Sequence, residues 1–415
     1  MKILVCGADG FLGRHIVSAL HGRGHEVVRG VHRVREAGDL ALDYRRDLTS
    51  DIWLPRVDGV DAVVNAVGIL HEREAGDFDR VHRQTPEALF QACAQAGVRR
   101  VVQISALGNA ATPYLTSKQA ADQTLWCLLP DAVVLRPGLV FGRDGVSTRF
   151  FLALASLPIQ ARPCGAAPVQ PVQIADIAEI VVRLLEAPPD ECNLVEAPGP
   201  QRLGYDEWLA LYRKALGLAP ALRFPIPDVL MATAARIAGH FPGSLLSTDT
   251  WTMLRAGNIG DPATAETLLG RALVTPSHFI ARSDREALRL RALAAWQRPL
   301  ERSVIAAIWL GSALVSAGLY PIAGSLARLV PFGLSGAPAL GVLTAATLLD
   351  AVMGLLTLLR PGRRLWLAQL ALVGGYTLLV TLRLPAYLLD PFGPILKNLA
   401  VLALLIQLLA EEEAA

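Results

Sequence analysis

The sequence predicts a two-part chain: a doubly wound α/β domain with a parallel sheet and a small substrate lobe, followed by an all-α bundle of four membrane-crossing helices. Three observations predict it. An apolar run of strand length, Lys2 to Cys6, leads into a glycine-rich turn and then a helical pattern; strand-like and helical stretches alternate after it; and from Ser303 onwards the chain is almost wholly apolar.

Composition fits this division. A chain of 415 residues is long for one folding unit, and we expect a first domain over 1–225, the rest of a lobe and a linker over 226–297, and a membrane domain over 298–415. Hydrophobic residues make up 53% and charged residues only 18%, against roughly 25% in ordinary soluble domains. A net charge of +2, with no long basic run, argues against nucleic acid as a partner. Cys6, Cys93, Cys127, Cys164 and Cys192 have no metal-ligand spacing, so no metal site is expected and the thiols should be free and buried. The start, MKILVCGADG, lacks the long apolar stretch and cleavage site of a secretory signal, which leaves the first domain in the cytoplasm.

The first element carries the chemistry. After strand 2–6 comes Gly7-Ala8-Asp9-Gly10-Phe11-Leu12-Gly13 and a helical pattern over 14–24. Glycines are needed there because the backbone must turn tightly and approach a pyrophosphate with no side chain between, while the helix N-terminus aims free N–H groups at the phosphates. Further strands are expected at 25–31, 62–67, 101–105 and 132–135. An acid at the end of the second strand would hold a ribose 2′-hydroxyl, and a base would hold a 2′-phosphate. His32 and Arg33 stand there, with Arg29 and Arg35 close by and no acid before Glu36, which favours NADP(H) over NAD(H).

Taken in order, these segments resemble the extended or atypical branch of the short-chain dehydrogenase/reductase superfamily, in particular the group with the NADPH-binding accessory subunit of respiratory complex I. Gly7, Gly10 and Gly13 match its GxxGxxG; Asp47-Leu48-Thr49 matches the acid that contacts adenine; Asn65-Ala66-Val67-Gly68 matches its NAG-like strand end. Ser105, Tyr114-Leu115-Thr116-Ser117-Lys118 and the run from Leu135-Arg136-Pro137-Gly138 to Gly142 match its serine, YxxxK and RPxxVxG patterns. The resemblance covers about residues 1–295. It implies coenzyme contacts from Gly7, Asp9, Gly10, Phe11, Leu12, Gly13, His32, Arg33, Asp47, Leu48, Asn65, Ala66, Val67, Gly68, Tyr114, Lys118 and Pro137, and catalysis by Ser105, Tyr114 and Lys118.

On a helix, Tyr114 and Lys118 share a face, so a lysine ammonium should favour the phenolate and bring the tyrosine from about 10 into a useful range. Ser105 would hydrogen-bond a substrate carbonyl while hydride passes to or from a nicotinamide. Two features depart from the family: the connection from Ser105 to Tyr114 is trimmed to residues 106–113, and Val81-His82 stands where the family has Val-Asn.

Beyond Gly142 the pattern loosens into a lobe. Gln170 to Ala178 resembles the family's V-x-V-x-D-x-A helix start, with Asp176 expected near a helix N-terminus. Between Phe224 and Ala281, large apolar side chains (Phe241, Leu245, Trp251, Leu254) either line a pocket for a greasy substrate or cover the sheet edge.

Apolar segments at 303–320, 340–359, 365–382 and 395–410 read as four spans. Arg298, Arg302, Arg360, Arg363 and Arg364 cluster at one side, which places both termini inside a bacterial-type cytoplasmic membrane. This part resembles the DoxX-like membrane family through Leu349-Asp350-Ala351-Val352-Met353-Gly354 and the run Asp390 to Asn398. A mid-span carboxylate at Asp350 needs a partner, with Gln369, Tyr376, Thr377 or Lys397 as candidates.

The expected function is a membrane-anchored oxidoreductase acting on an apolar, membrane-associated small molecule such as a quinone, lipid or isoprenoid. The alternative is a non-catalytic NADPH-binding assembly or sensing protein with a membrane-complex partner. Sugar-nucleotide epimerisation, known in extended relatives, sits badly with the short loop and the hydrophobic lobe.

Overall fold

Among the described residues, eleven strands order the first part of the chain. They are β1 (Lys2–Cys6), β2 (Glu26–Val31), β3 (Leu40–Ala41), β4 (Ala62–Asn65), β5 (Arg100–Ile104), β6 (Val133–Pro137), β7 (Val140–Phe141), β8 (Ile159–Pro163), β9 (Val172–Gln173), β10 (Leu194–Ala197) and β11 (Leu222–Ile226). The computed structural model describes residues 1–188, 193–241, 243–388, 393 and 395–412. Within these the chain forms two compact units, Met1–Ala292 and Leu293–Ala415.

Seven strands make one parallel sheet in the order β10-β6-β5-β4-β1-β2-β3. The order reverses beside β1, whose neighbours β2 and β4 lead the chain to opposite flanks, and this opens a crevice at the carboxyl ends of β1 and β4. Alternation along β1 divides the core. Ile3 and Val5 pack with Ile16 and Leu20 of helix Phe11–Gly22 and with Ile177 and Val181 of helix Ile174–Glu186. Leu4 and Cys6 pack on the other face with Trp53, Leu89, Phe90 and Leu125.

The lobe has its own core, in which Phe141, Leu152, Trp208, Tyr212 and Phe279 meet. Its short sheets pair β11 with β8 and β7 with β9. Asp176 lies in the first turn of its helix as expected, fully buried, where it accepts the Val274 amide at 2.9 Å and Arg271 Nη1 at 2.8 Å. The apolar side chains between Phe224 and Ala281 divide: Trp251 is buried, whereas Phe241 is exposed.

Boundaries differ from the sequence reading where packing decides them. The first helix starts at Phe11 rather than 14, because Gly10 already takes the extended N-cap conformation (φ −74°, ψ 172°). β6 runs on to Pro137 because Ala197 of β10 pairs with it. The expectation of buried thiols holds for Cys6 and Cys93 but is corrected at Cys127 and Cys164, which lie at the surface; Cys192 lies outside the described residues. Cys127 falls on the outer side of helix Pro113–Leu128, a position that periodicity alone does not fix.

Among the described residues, three helices are long and apolar enough to cross a membrane: Arg285–Leu319, Gly336–Leu359 and Arg363–Arg383. The fourth apolar helix, Lys397–Ala410, has 14 residues, a rise of about 21 Å against a hydrocarbon core of about 30 Å. Of the Asp390–Asn398 motif, Asp390 to Phe392 and Pro394 lie outside the described residues. Two of the expected partners of Asp350, Gln369 and Thr377, are corrected. Ser312 Oγ donates to its carboxylate at 2.7 Å, whereas Gln369 donates to Thr357 at 2.8 Å and Thr377 receives Asn398 at 2.9 Å. Close approach of the first two long apolar helices explains this choice, since a Cβ at Gly354 would lie 2.6 Å from Leu310 Cγ.

Candidate functional site

The glycine turn is built by three different constraints. Gly7 has φ +78°, and its amide and that of Ala8 donate to Gly30 O at 2.8 and 3.0 Å, which bends the chain sharply off β1. Gly13 is buried against the turn; a Cβ there would collide with Gly7 O and lie 2.7 Å from Gly7 C. Gly10 is exposed, and a Cβ on it would meet only Gly7 O at 3.0 Å. The N-cap therefore has no side chain to satisfy the first-turn amides of Phe11, Leu12 and Gly13. Asp9 is half-buried in the turn. The Phe11 ring packs where Gly142 and Gly145 leave room, and Arg14 and His15 hold Asp144 of that loop at 2.6 and 3.2 Å.

At the end of β2 the basic residues separate in role. Arg29 is committed to Glu36 and to Asp39, the latter at 3.5 Å. His32 and Arg33 are exposed, and no described residue pairs with Arg33. Asp47 is buried; its Oδ2 accepts the Asp43 amide at 2.7 Å and Arg56 Nη1 at 2.6 Å, so its carboxylate shapes the turn, while Leu48 is exposed beside it. Asn65 is buried too. Its Oδ1 accepts Tyr44 Oη at 2.8 Å and the Val67 amide at 3.3 Å, and its Nδ2 donates to Gln103 at 2.7 Å, so this side chain fixes the turn Ala66-Val67-Gly68 that follows β4. Pro137 is buried at the end of β6, where its carbonyl accepts the Leu107 amide at 3.1 Å.

Thr112 caps helix Pro113–Leu128 and Pro113 occupies its first turn, which sets Tyr114 and Lys118 one turn apart beside the end of β4. Lys118 Nζ is buried, donates to Ile104 O at 3.1 Å, and lies 6.0 Å from the Tyr114 ring centroid. A Cβ on Gly68 would come within 3.4 Å of Lys118 Nζ and 3.7 Å of His82 Nε2, so bare backbone at Gly68 faces both. His82 replaces the family's asparagine with a fixed neutral ring. Its Nε2 accepts the Ile69 amide at 3.0 Å, so Nδ1 carries the proton toward Ser117 Oγ at 3.1 Å. The ring also stacks on Phe78 and meets Tyr114 edge-on.

Burial dominates the electrostatics here. It brings His82 down to about 2, aided by Lys118, and brings Lys118 down to about 8 against the opposing pull of Asp122. It pushes Tyr114 up to about 12. The expected activated phenolate is thus corrected: the ammonium is anchored on Ile104 O and does not offset the desolvation of the phenol, which stays protonated at neutral pH.

Ser105 is buried at the end of β5, and its Oγ donates to Asp122 Oδ2 at 2.7 Å rather than into the crevice. Arg136 Nη2 donates to the same oxygen at 2.9 Å. The sequence reading missed Asp122, although its spacing from Lys118 puts it on the same helix face. The trimmed loop is tied down by Gln119 to Gly108 O at 3.2 Å and by Asn258 of the lobe to Leu107 O at 2.8 Å.

Residues 3–194 match the NAD dependent epimerase/dehydratase family, and residues 306–406 match the DoxX-like family. The chain is 28% identical over 222 residues to the mouse (Mus musculus) mitochondrial NADH dehydrogenase (ubiquinone) 1 alpha subcomplex subunit 9, covering 48% of this chain and 56% of that one. It therefore spans little more than half of that relative. A ceramide reductase of Caulobacter vibrioides is 28% identical over 252 residues, with 56% of this chain and 76% of that one covered. A solved human epimerase family protein with NADPH shares the fold at a TM-score of 0.53 and 20% identity, over 70% of this chain and 99% of that one. The chain joins an NAD(P)-binding domain of the epimerase-like short-chain dehydrogenase/reductase kind to a C-terminal DoxX-like domain.

Proposed function

We propose that this protein is a membrane-anchored, NADPH-dependent reductase of a carbonyl group on an apolar, membrane-dissolved substrate: a lipid, quinone or isoprenoid. The observation that carries the reading is the pairing of a protonated Tyr114 with a buried Lys118 against the bare backbone of Gly68. The residues present fit a dinucleotide, since the bare, uncapped backbone at Gly10 and the closed contact at Gly13 are what a pyrophosphate against a helix N-terminus requires. Arg33, exposed just after β2 and paired with no described residue, would hold the 2′-phosphate.

The bound coenzyme supplies hydride to the carbonyl carbon. Tyr114 then gives its hydroxyl proton to the carbonyl oxygen as negative charge develops there, a role that suits a phenol which is neutral at the start of the reaction. Lys118, fixed by Ile104 O, keeps a positive charge next to that phenol and to the ribose position. His82 stays neutral and holds the Gly68–Ile69 backbone in place through the Ile69 amide. A relative named a ceramide reductase supports a lipidic substrate. The apolar C-terminal helices, with Arg298, Arg302, Arg360, Arg363 and Arg364 clustered in the sequence at the ends expected to face the cytoplasm, would tether the α/β domain to the membrane in which such substrates dissolve.

The test is to purify the full chain in detergent, identify any bound nucleotide, and follow NADPH oxidation with short-chain quinones and long-chain keto-lipids for wild type and Tyr114→Phe. Equal rates would remove Tyr114 from the chemistry. One observation favours a second reading, a non-catalytic NADPH-binding component of a membrane complex: Ser105 spends its proton on Asp122 and offers none to a substrate. Nucleotide bound tightly, with no turnover on either substrate class, would select that reading.

A further inference from the structure

One helix of the lobe is inside out. In helix Asp228–Ala238 the buried side chain is the small Ala235, while the large apolar residues Val229, Leu230 and Ile237, continued by Phe241 just past its end, are 59–73% exposed. At 100° per residue Val229, Leu230, Thr233 and Ile237 share one side, so the apolar stripe, interrupted by Thr233, whose hydroxyl is turned back to Val229 O at 2.8 Å, points away from the protein. The strand before it adds to the same character. Leu222 and Phe224 of β11 and Ile159, which pairs with Leu222, are exposed as well.

Charge around this stripe has one sign. From Leu222 to Phe241 the only acid is Asp228, and Arg255 neutralises it at 3.4 Å. Arg223 and Arg236 are exposed, and no described residue pairs with either. Large apolar groups flanked by free arginines, on a chain that carries its own helices of membrane-crossing length, match an anionic lipid surface.

We propose that helix Asp228–Ala238 lies in the headgroup layer of the membrane that holds the C-terminal helices, with Val229, Leu230, Ile237 and Phe241 inserted and Arg223 and Arg236 on anionic lipid phosphates. This rests on the membrane anchoring proposed above. It supplies a second point of attachment, on the lobe itself, and gives an apolar substrate a path from the bilayer toward that lobe.

The experiment is hydrogen–deuterium exchange on the full chain in three settings: nanodiscs of phosphatidylglycerol with phosphatidylcholine, nanodiscs of phosphatidylcholine alone, and lipid-free amphipol. The expected result is exchange of the 226–241 amides at least about tenfold slower in the anionic nanodiscs than in amphipol, with a smaller effect in phosphatidylcholine alone. In the variant Val229→Ser, Leu230→Ser, Ile237→Ser, Phe241→Ser, whose altered side chains are all exposed, that protection should vanish while NADPH binding persists. Equal exchange in all three settings overturns the proposal. So does protection in amphipol that grows with protein concentration, which would make a second copy the occupant. Carbonate extraction separates the two readings: if the wild-type chain washes off the membrane, the anchoring fails and the docking falls with it, whereas a retained chain with unprotected 226–241 amides defeats the docking alone.

Discussion

Ser105 Oγ donates to Asp122 Oδ2 at 2.7 Å, and both groups are buried. The serine therefore secures the helix that carries Tyr114 and Lys118 to β5, and Arg136 completes the arrangement from β6 by donating to the same oxygen. In Ser105→Ala the buried carboxylate loses a donor, which should reduce stability by about 1–3 kcal/mol. Urea unfolding measures this. A variant with wild-type stability and lost turnover would instead place Ser105 on the substrate.

Tyr114→Phe removes the proposed proton donor and nothing that the fold uses, since no described residue hydrogen-bonds its hydroxyl. Turnover should fall by about 10²–10⁴-fold, with NADPH affinity nearly unchanged. Steady-state rates beside nucleotide titration show whether the loss is confined to kcat.

The glycines separate binding from folding. Gly10→Val keeps an ordinary backbone conformation (φ −74°, ψ 172°) and brings its Cβ to a tight but tolerable 3.0 Å from Gly7 O while covering the first-turn amides, so it should fold and lose NADPH. Gly13→Ala drives a Cβ into Gly7 O and should compromise the fold itself. Melting curves and nucleotide titration on both proteins distinguish the two. A folded Gly10→Val that binds like wild type would refute the cradle.

Lys118 provides a pH test. Its folded value of about 8 lies below the ordinary 10.5, so between these the unfolded chain binds the extra proton. The native state is thus penalised below pH 8, and the penalty is relieved as pH rises toward 10.5. Lys118→Met should melt higher than wild type at pH 7, and the gap should narrow from pH 8 to 10. A gap independent of pH would show that the lysine is not desolvated in the fold.

Arg33→Ala should weaken NADPH about tenfold or more, through loss of one charge-assisted contact, and leave NADH unaffected. Isothermal titration with both coenzymes reads this directly. Equal losses for the two would assign Arg33 to another task.

Much of the α/β fold was legible because its signals are local. The run Lys2 to Cys6, the glycines that follow and the i, i+4 spacing of Tyr114 and Lys118 each depend on a few neighbouring residues and on backbone geometry that glycine, strand and helix impose by themselves. Hydropathy likewise announced the apolar helices from Ser303, because a stretch that must satisfy lipid has to be apolar along its whole length.

Tertiary structure decided what depends on partners distant in the sequence. Asp122 was invisible as the acceptor of Ser105 and Arg136 because three separate elements bring them together. Only the fold shows that Asn65 is held by Tyr44 and Gln103 and Asp47 by Arg56, partners that the sequence does not announce. The ionisation of Tyr114 followed the same logic: spacing puts an ammonium nearby, but only the packed structure sets how much water is removed from the phenol and where the ammonium is anchored. Periodicity states which residues share a face, and only the assembled protein decides whether that face turns inward or, as with Val229 and Ile237, outward.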